Sequence, residues 1–325
     1  TLFRKSKKMG IRKSLCKKIM KTFPSHPSPT DPHLWEVFKT KQYLHGSEDH
    51  KKKLRYESAK ATYQWECNPK ISILRKYFFH ELSEEMLKGK TLLDLGSFTG
   101  GRLLAWTKLY NLSMGCGIDI NPIFKVASDE FAASVNVANV DFKTGVGEAL
   151  PYEDNSFDFI VATDVLEHVE NIKNVLIECY RVLKKGGRLC IAFPQYLQPF
   201  EAHLGMVTSA PALQWFFSGE TISLAYNEII RERGDDANWY KPVAFPLRNW
   251  EKLFSLNGTS IREFKSIASK QPWISTLYKV KPILTDGRKS EWILLKALSK
   301  VFIPLAHMPV LDEFFLGRVN CILVK

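Results

Sequence analysis

Several features that mark particular protein classes are missing from this sequence of 325 residues. Its six cysteines form no C-x-x-C pair and have no histidine at zinc-finger spacing, so we expect neither a zinc site nor a disulfide scaffold. No run reaches the roughly 18 to 20 apolar residues that cross a bilayer, and the first residues lack the apolar stretch of a secretory signal. Scattered, reduced thiols favour a reducing compartment, and we predict a cytoplasmic location.

The excess of positive charge is local. The formal net charge is +12, yet residues 1–60 alone hold 16 Lys and Arg against five Asp and Glu, so the remainder is nearly neutral. Residues 2–22 mix basic and apolar side chains in the pattern of a basic amphipathic helix, and the prolines of 23–32 predict a linker. The simplest interpretation of this arm is a solvated tail. Peripheral contact with an anionic membrane, a nucleic acid or a protein partner is the alternative.

Short apolar runs alternate with helical patterns from residue 90 onward. They predict strands at 90–95, 115–120, 140–144, 157–163 and 188–194, and helices at 122–134 and 171–183, the second closed by Gly186 and Gly187 as a C-cap. Further strands at 259–267 and 320–325 bring the number to seven. The predicted fold is α/β, a doubly wound Rossmann-like seven-stranded sheet with N-terminal helices and a lid insertion after the fifth strand.

A glycine-rich run, LLDLGSFTGG at 92–101, precedes an acidic residue, Asp119, at the end of the next predicted strand. Small residues at Gly96 and Gly100 let the backbone pass close beneath a nucleoside, and an acid about 20 residues on can accept hydrogen bonds from both ribose hydroxyls. This spacing predicts an adenosyl ligand. Phe98 stands where a dinucleotide fingerprint needs glycine to admit a pyrophosphate, which disfavours NAD.

Five motifs in order resemble the class I S-adenosylmethionine (AdoMet)-dependent methyltransferases of the small-molecule group. They are the glycine-rich run, GIDIN at 117–121, LPYEDNSFD at 150–158, VLEHV at 165–169 and KKGGR at 184–188. The resemblance is dense over residues 88–195, and residues 250–265 are similar to a later helix and strand of the family. It implies S-adenosyl-L-methionine as the cofactor.

The resemblance also implies a cofactor site. In the family, the acid matching Asp94 orders the glycine loop near the methionine moiety, and the acid matching Asp119 holds the ribose. The predicted cofactor-binding residues are Asp94, Gly96, Ser97, Gly100, Asp119, Ile120, Gly147, Glu148, Thr163 and Asp164. Gly147 and Glu148 fall where the family contacts adenine, and Thr163 and Asp164 face the site. Val146 departs from the pattern, because the family often has Asp there.

His203 is the candidate catalytic base. It lies in PFEAHL at 199–204, and related O-methyltransferases carry a similar Pro-Phe-x-x-His-Leu stretch after the fifth strand. An acceptor hydroxyl must lose its proton, and histidine can take it near neutral pH. A structural role in holding the loop is the alternative. Methyl transfer itself requires no metal in principle, and none is predicted.

The chain is predicted to have five parts. A basic arm and Pro-rich linker cover 1–32, helices 33–88, the AdoMet-binding core 89–194, a substrate lid 195–246, and the rest of the core 247–325, which opens with a helix at 247–256. An insertion at the carboxyl end of a strand lies over the ligand crevice. Its aromatic residues favour an acceptor with an apolar or ring surface, although ordinary core packing explains them as well.

The predicted activity is methyl transfer to a hydroxyl or amine of a small molecule by in-line displacement. Residues 163–167 are TDVLE, whereas amino-group DNA methyltransferases resemble N/D-P-P-Y there, and the Pro-Cys nucleophile of cytosine-C5 enzymes is likewise not found at that place. No specific nucleic-acid partner is therefore predicted. An RNA or protein methyltransferase and a non-catalytic AdoMet-binding protein stay open.

Overall fold

The computed structural model describes residues 2–25, 38, 43, 45–199, 204, 207–233, 256–283, 293–308 and 310–325. The N-terminal part is helical, as predicted. It contains α1 (Leu2–Thr22), α2 (Glu48–Cys67), α3 (Ile73–Phe78) and α4 (Glu84–Leu87). Within the described ranges, none of the helices combines the length and the apolar character that spanning a membrane requires.

The core alternates strands and helices. In chain order its elements are β1 (Thr91–Leu95), α5 (Gly101–Leu109), β2 (Met114–Asp119), α6 (Pro122–Ser134), β3 (Val140–Thr144), β4 (Phe157–Thr163), α7 (Ile172–Val182) and β5 (Leu183–Pro194). Then follow α8 (Leu213–Phe216), α9 (Gly219–Glu232), α10 (Ile261–Ala268), β6 (Ser275–Pro282), α11 (Ile293–Ala306), α12 (Asp312–Phe315) and β7 (Leu316–Val324).

The strands form one sheet in the order β3-β2-β1-β4-β5-β7-β6. The first five strands pair in parallel, and β7 runs antiparallel to both β5 and β6. Successive residues of β1 enter different cores: Leu92 packs with α2 and α5, whereas Leu93 packs with α7 and α10. Helices therefore cover both faces of a mostly parallel sheet, and the predicted α/β fold is confirmed.

One predicted strand is wrong. Residues 259–267 were expected to be extended, but Ile261–Ala268 is helix α10. Ser260 caps it by accepting a hydrogen bond from the backbone N–H of Glu263, and the buried residues Ile261, Phe264 and Ala268 follow a helical spacing. The strand next to β7 is instead Ser275–Pro282.

The glycines at 186 and 187 do not cap a helix. Helix α7 ends at Val182, and β5 begins with Leu183 beside Phe157 of β4. Gly186, inside β5, has φ of +76° and donates its N–H to the carbonyl of Lys325, so it belongs to an irregular stretch of that strand. The last strand also begins earlier than predicted, at Leu316, because its pairing with β6 extends to that residue.

The basic arm is docked rather than solvated. Cys16 and Met20 of α1 are fully buried in a cluster with residues of α9. Lys13, Lys17 and Lys21 form ion pairs with Glu228 and Glu232, the Lys13–Glu228 pair at 2.7 Å. Because α9 belongs to the segment that follows β5, this packing joins the predicted arm at 1–32 to the predicted lid at 195–246. The helix predicted at 247–256 lies outside the described residues except for Leu256.

Candidate functional site

The turn between β1 and α5 has an unusual backbone. In this glycine loop, residues 96–100, Gly96, Phe98 and Gly100 have φ of +71°, +49° and +73°. The N–H groups of Gly96 and Ser97 donate to the carbonyl of Ile118, which ties the loop to β2. A Cβ on Gly96 would lie 2.2 Å from Cγ2 of Val165. Glycine is therefore required at 96 by both conformation and packing.

Phe98 has a left-handed backbone conformation, which is strained for a residue with a large side chain. Its ring packs edge-on against Phe124 at 4.7 Å and against Phe38 at 6.0 Å between ring centroids. These aromatic contacts hold the loop in place, since such pairs contribute about 0.5–1.5 kcal/mol beyond burial. The expectation that Phe98 disfavours a pyrophosphate stays a prediction.

A buried ion pair lies beneath the loop. The carboxylate of Asp94, on β1, is fully buried and accepts two hydrogen bonds from Arg102, Nε to Oδ2 at 2.8 Å and Nη2 to Oδ1 at 2.7 Å. Arg102 also donates to the carbonyl of Gly96 and to Oγ1 of Thr163, at 2.7 and 2.8 Å. Burial raises the pKa of Asp94 to about 6, and the Arg102 guanidinium opposes that rise. One guanidinium thus connects β1, the glycine loop and β4.

Asp119 is attached to the same loop. Its Oδ2 accepts from the backbone N–H of Phe98 at 3.1 Å, and its Oδ1 accepts from that of Asn121 at 3.1 Å. Burial raises the pKa of Asp119, and the backbone hydrogen bonds of Asn121 and Phe98 lower it. Each oxygen keeps acceptor capacity for a further donor. The structure brings the predicted acid and the predicted loop together.

Two exposed apolar residues follow the ends of the neighbouring strands β2 and β3. Ile120 follows β2 and Val146 follows β3, and they are 49% and 39% exposed. The strands are neighbours, with Asp119 paired to Thr144, and the N–H of Gly145 donates to the carbonyl of Asp119. Exposed apolar groups near the predicted ribose contact are the kind of surface that a flat ring can pack against.

The predicted adenine-contacting pair, Gly147 and Glu148, lies in the next turn. A Cβ on Gly147 would approach Val175 and Leu95 at 3.3 and 3.4 Å, so the position is tightly packed. Glu148 Oε1 accepts from the backbone N–H groups of Glu170 and Asn171 at 2.7 and 3.1 Å. This carboxylate caps the start of α7, and its contact with adenine stays a prediction.

The end of β4 carries a second ion pair. Asp164 has φ of +56°, and its Oδ1 accepts from Arg318 Nη1 at 2.5 Å. The Arg318 guanidinium also lies 5.2 Å from the ring centroid of Tyr77. Thr163 is buried and held by Arg102, so both predicted residues lie at this sheet edge. His203 lies outside the described residues, and its role as a base stays a prediction.

The sequence reasoning missed Arg102 and Arg318. The sequence did contain a signal for Arg102. Asp94 lies in an apolar predicted strand, and a buried carboxylate needs a partner of opposite charge. Arg102 is the one charged residue in the apolar stretch that follows the glycine loop, 101–107. Arg318 was missed because the last strand was expected to start at residue 320. Among the residues the structure describes, His, Cys, Asp and Glu form no cluster that could hold a metal ion.

Comparison with known proteins points to one family. Residues 93–191 match a family model described as a methyltransferase domain. A ubiquinone/menaquinone biosynthesis C-methyltransferase, UbiE, of Marinomonas sp. is 36% identical over 116 residues, 34% of this chain and 46% of that protein. A Bacillus subtilis methyltransferase, YcgJ, is 31% identical over 165 residues, 47% of this chain and 62% of that protein. The chain thus spans about half the length of these curated relatives.

The fold is also shared with solved structures. A Haemonchus contortus phosphoethanolamine N-methyltransferase 2 in complex with S-adenosyl-L-methionine superposes with a TM-score of 0.50 and 15% identity, covering 87% of this chain and 59% of that one. At this identity the likeness speaks for the fold alone. The evidence for a methyltransferase domain comes from the family model and the sequence relatives. Residues 93–191 therefore match a methyltransferase domain, as the resemblance to the class I AdoMet-dependent methyltransferases predicted.

Proposed function

We propose that this chain transfers a methyl group from AdoMet to a small-molecule acceptor. The observation that carries the proposal is the hydrogen bond from the Phe98 N–H to Asp119 Oδ2, at 3.1 Å. It makes the glycine loop and the acid one unit, so that a ligand seated on the loop also meets the carboxylate. The methyltransferase match over residues 93–191 agrees with this placement.

The residues present fit an adenosyl ligand. Asp119 would accept hydrogen bonds from the ribose hydroxyls, and Ile120 and Val146 would face the purine ring. Thr99, in the same loop, has a buried hydroxyl with no hydrogen-bond partner in the part of the chain that the structure describes, as expected for a loop that binds a ligand. We assign cofactor binding to Asp94, Gly96, Ser97, Gly100, Gly147, Thr163 and Asp164 through the backbone and packing of this edge.

The Asp94–Arg102 pair acts as a support. Arg102 is committed to Asp94, Gly96 and Thr163, so it fixes the loop and the end of β4 relative to each other. A bidentate guanidinium holds such geometry better than a single charge. We therefore give this pair a positioning role and keep the direct ribose contact for Asp119.

When bound, AdoMet supplies an electrophilic methyl group on a sulfonium. The chain has to align an acceptor lone pair with that methyl carbon, exclude water and accept the proton that the acceptor releases. We propose His203 as the acceptor of this proton for a hydroxyl or amine. The segment that follows β5, in which α8 and α9 lie, would close over the acceptor as a lid.

A screen for methyl transfer tests the proposal. The protein is incubated with AdoMet and panels of phenols, amines and quinol-type rings, and products are searched for the mass gain of one methyl group. We expect turnover with at least one class and a loss of about 100-fold or more on His203→Ala if the acceptor is a hydroxyl. Turnover that is unchanged in Asp119→Ala would contradict the proposed cofactor site.

A second candidate is methylation at carbon. It is favoured by the identity to a quinone C-methyltransferase, but that match covers 46% of the relative. Turnover restricted to ring carbons would select it. Two alternatives remain, methylation of RNA or protein and AdoMet binding without turnover. Methylation of RNA or protein would show as a methyl group gained by the macromolecule.

A further inference from the structure

Helix α1 has apolar residues on two opposite faces. Cys16 and Met20 face α9 and are fully buried, whereas Ile11 and Leu15 are 64% and 52% exposed. Residues 11, 15 and 18 are spaced by four and three, so they share one face of the helix. Large exposed apolar side chains on a helix whose other face is already covered need an explanation.

The ion pairs with α9 fix which face points outward. Lys13 and Lys17 pair with Glu228, and Lys17 and Lys21 pair with Glu232. Three of the nine basic residues of α1 are used in this way, and the helix has no acidic residue. Among the basic residues of α1 whose side chains the structure describes, Arg12 and Lys18 take no part in these ion pairs.

The exposed face continues onto the segment that follows β5. Phe216, at the end of α8, is 68% exposed, and its carbonyl accepts from Arg12 Nη2 at 2.6 Å. We define the outer face as Ile11, Arg12, Leu15, Lys18 and Phe216. It combines three large apolar side chains with two exposed cations.

We propose that the outer face docks on an anionic lipid bilayer. Ile11, Leu15 and Phe216 would enter the boundary between head groups and acyl chains, and Arg12 and Lys18 would meet the lipid phosphates. The outer face suits a nucleic acid less well than a bilayer. Binding of a nucleic acid depends on cations that neutralise its phosphates, which leaves the three exposed apolar side chains without a role. The absence of acidic residues from α1 matches the negative charge of the surface.

Docking would place the bilayer near the end of β5. Gln214 Nε2 donates to the carbonyl of Gln198 and Trp215 Nε1 to that of Leu197, so α8 is attached to the first residues after that strand. If the proposed function holds, an acceptor that dissolves in the bilayer can reach the site from this side. The class of acceptor rests on the proposed function, whereas lipid docking does not.

Sedimentation with vesicles tests the docking. The full chain is mixed with vesicles of phosphatidylcholine alone or of phosphatidylcholine and phosphatidylglycerol in equal amounts, at low and high salt. We expect binding to the anionic vesicles, weakened by salt. The double variant Ile11→Ser, Leu15→Ser should bind at least about tenfold less tightly, whereas the matched control Ile274→Ser, Val301→Ser, which removes exposed apolar groups elsewhere, should bind like the wild type.

The proposal is overturned if anionic vesicles are not bound, if the Ile11, Leu15 variant binds them as well as the control variant, or if RNA is bound in preference to them. Binding of S-adenosylhomocysteine in vesicle-free buffer is measured on the same variants, and equal affinities show that the site is intact. Absence of that binding in the wild type would count against the proposed function and leave the vesicle result standing.

Discussion

At the scale of single residues, the site depends on how a buried carboxylate is compensated. Asp94 is fully buried, and the Arg102 guanidinium gives it two hydrogen bonds. Removing one partner of such a pair leaves the other charge uncompensated, which costs about 3–5 kcal/mol. The pair therefore makes Arg102 a residue on which both the stability and the shape of the glycine loop depend.

Replacement of Arg102 by methionine should destabilise the protein in a pH-dependent way. The pKa of Asp94 is raised by burial to about 6, above its unfolded value, and the loss of Arg102 should raise it further. The folded state then binds the extra proton, so stability rises as the pH falls through this window. Urea unfolding should show a loss of about 3–5 kcal/mol at pH 8 and a smaller loss at pH 5.5.

Arg181→Met is the matched control, because Arg181 pairs with Glu178 and Asp154 near the surface. The pKa of Glu178 is lowered chiefly by its hydrogen bond with Arg181, and without that bond it returns toward the ordinary glutamate value of about 4.3, which still lies below pH 5.5. The loss of stability in this variant should be the same at pH 5.5 and pH 8. An equal loss at both pH values for Arg102→Met would contradict the account.

At the scale of elements, periodicity predicted most of the strands and helices of the core, but it did not predict which segments after residue 256 are helix and which are strand. The strands predicted at 90–95 and 157–163 are mostly apolar runs, as buried parallel strands require, and the strand at 140–144 is an alternating edge strand; all three were found. Residues 259–267 also looked extended, yet the serine cap at Ser260 decides for a helix. The true strand β6 contains only a short alternation, YKVK at 278–281, and its place in the sheet is specified by its pairing with β7, which is a tertiary contact.

The contact between α2 and α5 is specified by a glycine. A Cβ on Gly101 would lie 1.9 Å from the carbonyl oxygen of Ala59 and 2.2 Å from Oγ1 of Thr62. Gly101→Ala should therefore push the helices apart and destabilise the fold by about 1–3 kcal/mol. Gly10→Ala, in α1 with nothing within 4 Å, should leave stability unchanged or raise it by up to about 1 kcal/mol. Thermal unfolding that ranks the two variants in the opposite order would contradict this packing.

At the scale of the whole molecule, the packing of α1 on α9 joins segments about 200 residues apart. Charge pattern and prolines suggested an independent arm, because neither reveals a partner far along the chain. The acidic residues Glu228 and Glu232, four apart on α9, became meaningful only when the fold placed them beside Lys17. The contact between the glycine loop and Asp119 was predictable from spacing, because the two are about 20 residues apart and lie at the ends of neighbouring strands of the sheet.

Labelling of Cys16 measures whether α1 stays docked. Cys16 is fully buried, and burial raises the pKa of its thiol to about 12, so the reactive thiolate is scarce while the helix is in place. Charge reversal by Glu228→Lys and Glu232→Lys should release α1 and speed the reaction of Cys16 by at least about tenfold. Cys67 is exposed and serves as the internal control, with an unchanged rate. A Cys16 rate that does not respond would mean that the ion pairs do not hold the helix.

The central claim is that the glycine loop and Asp119 form one seat for an adenosyl ligand, and calorimetric titration with S-adenosylhomocysteine tests it most directly. We predict binding to one site per chain, at least about tenfold weaker in Asp119→Ala because hydrogen bonds to a charged acceptor are lost. The control Asp129→Ala removes an exposed acid that pairs with Lys125 and should bind like the wild type. Absence of binding by the wild-type chain, or equal affinity in Asp119→Ala, would contradict the account.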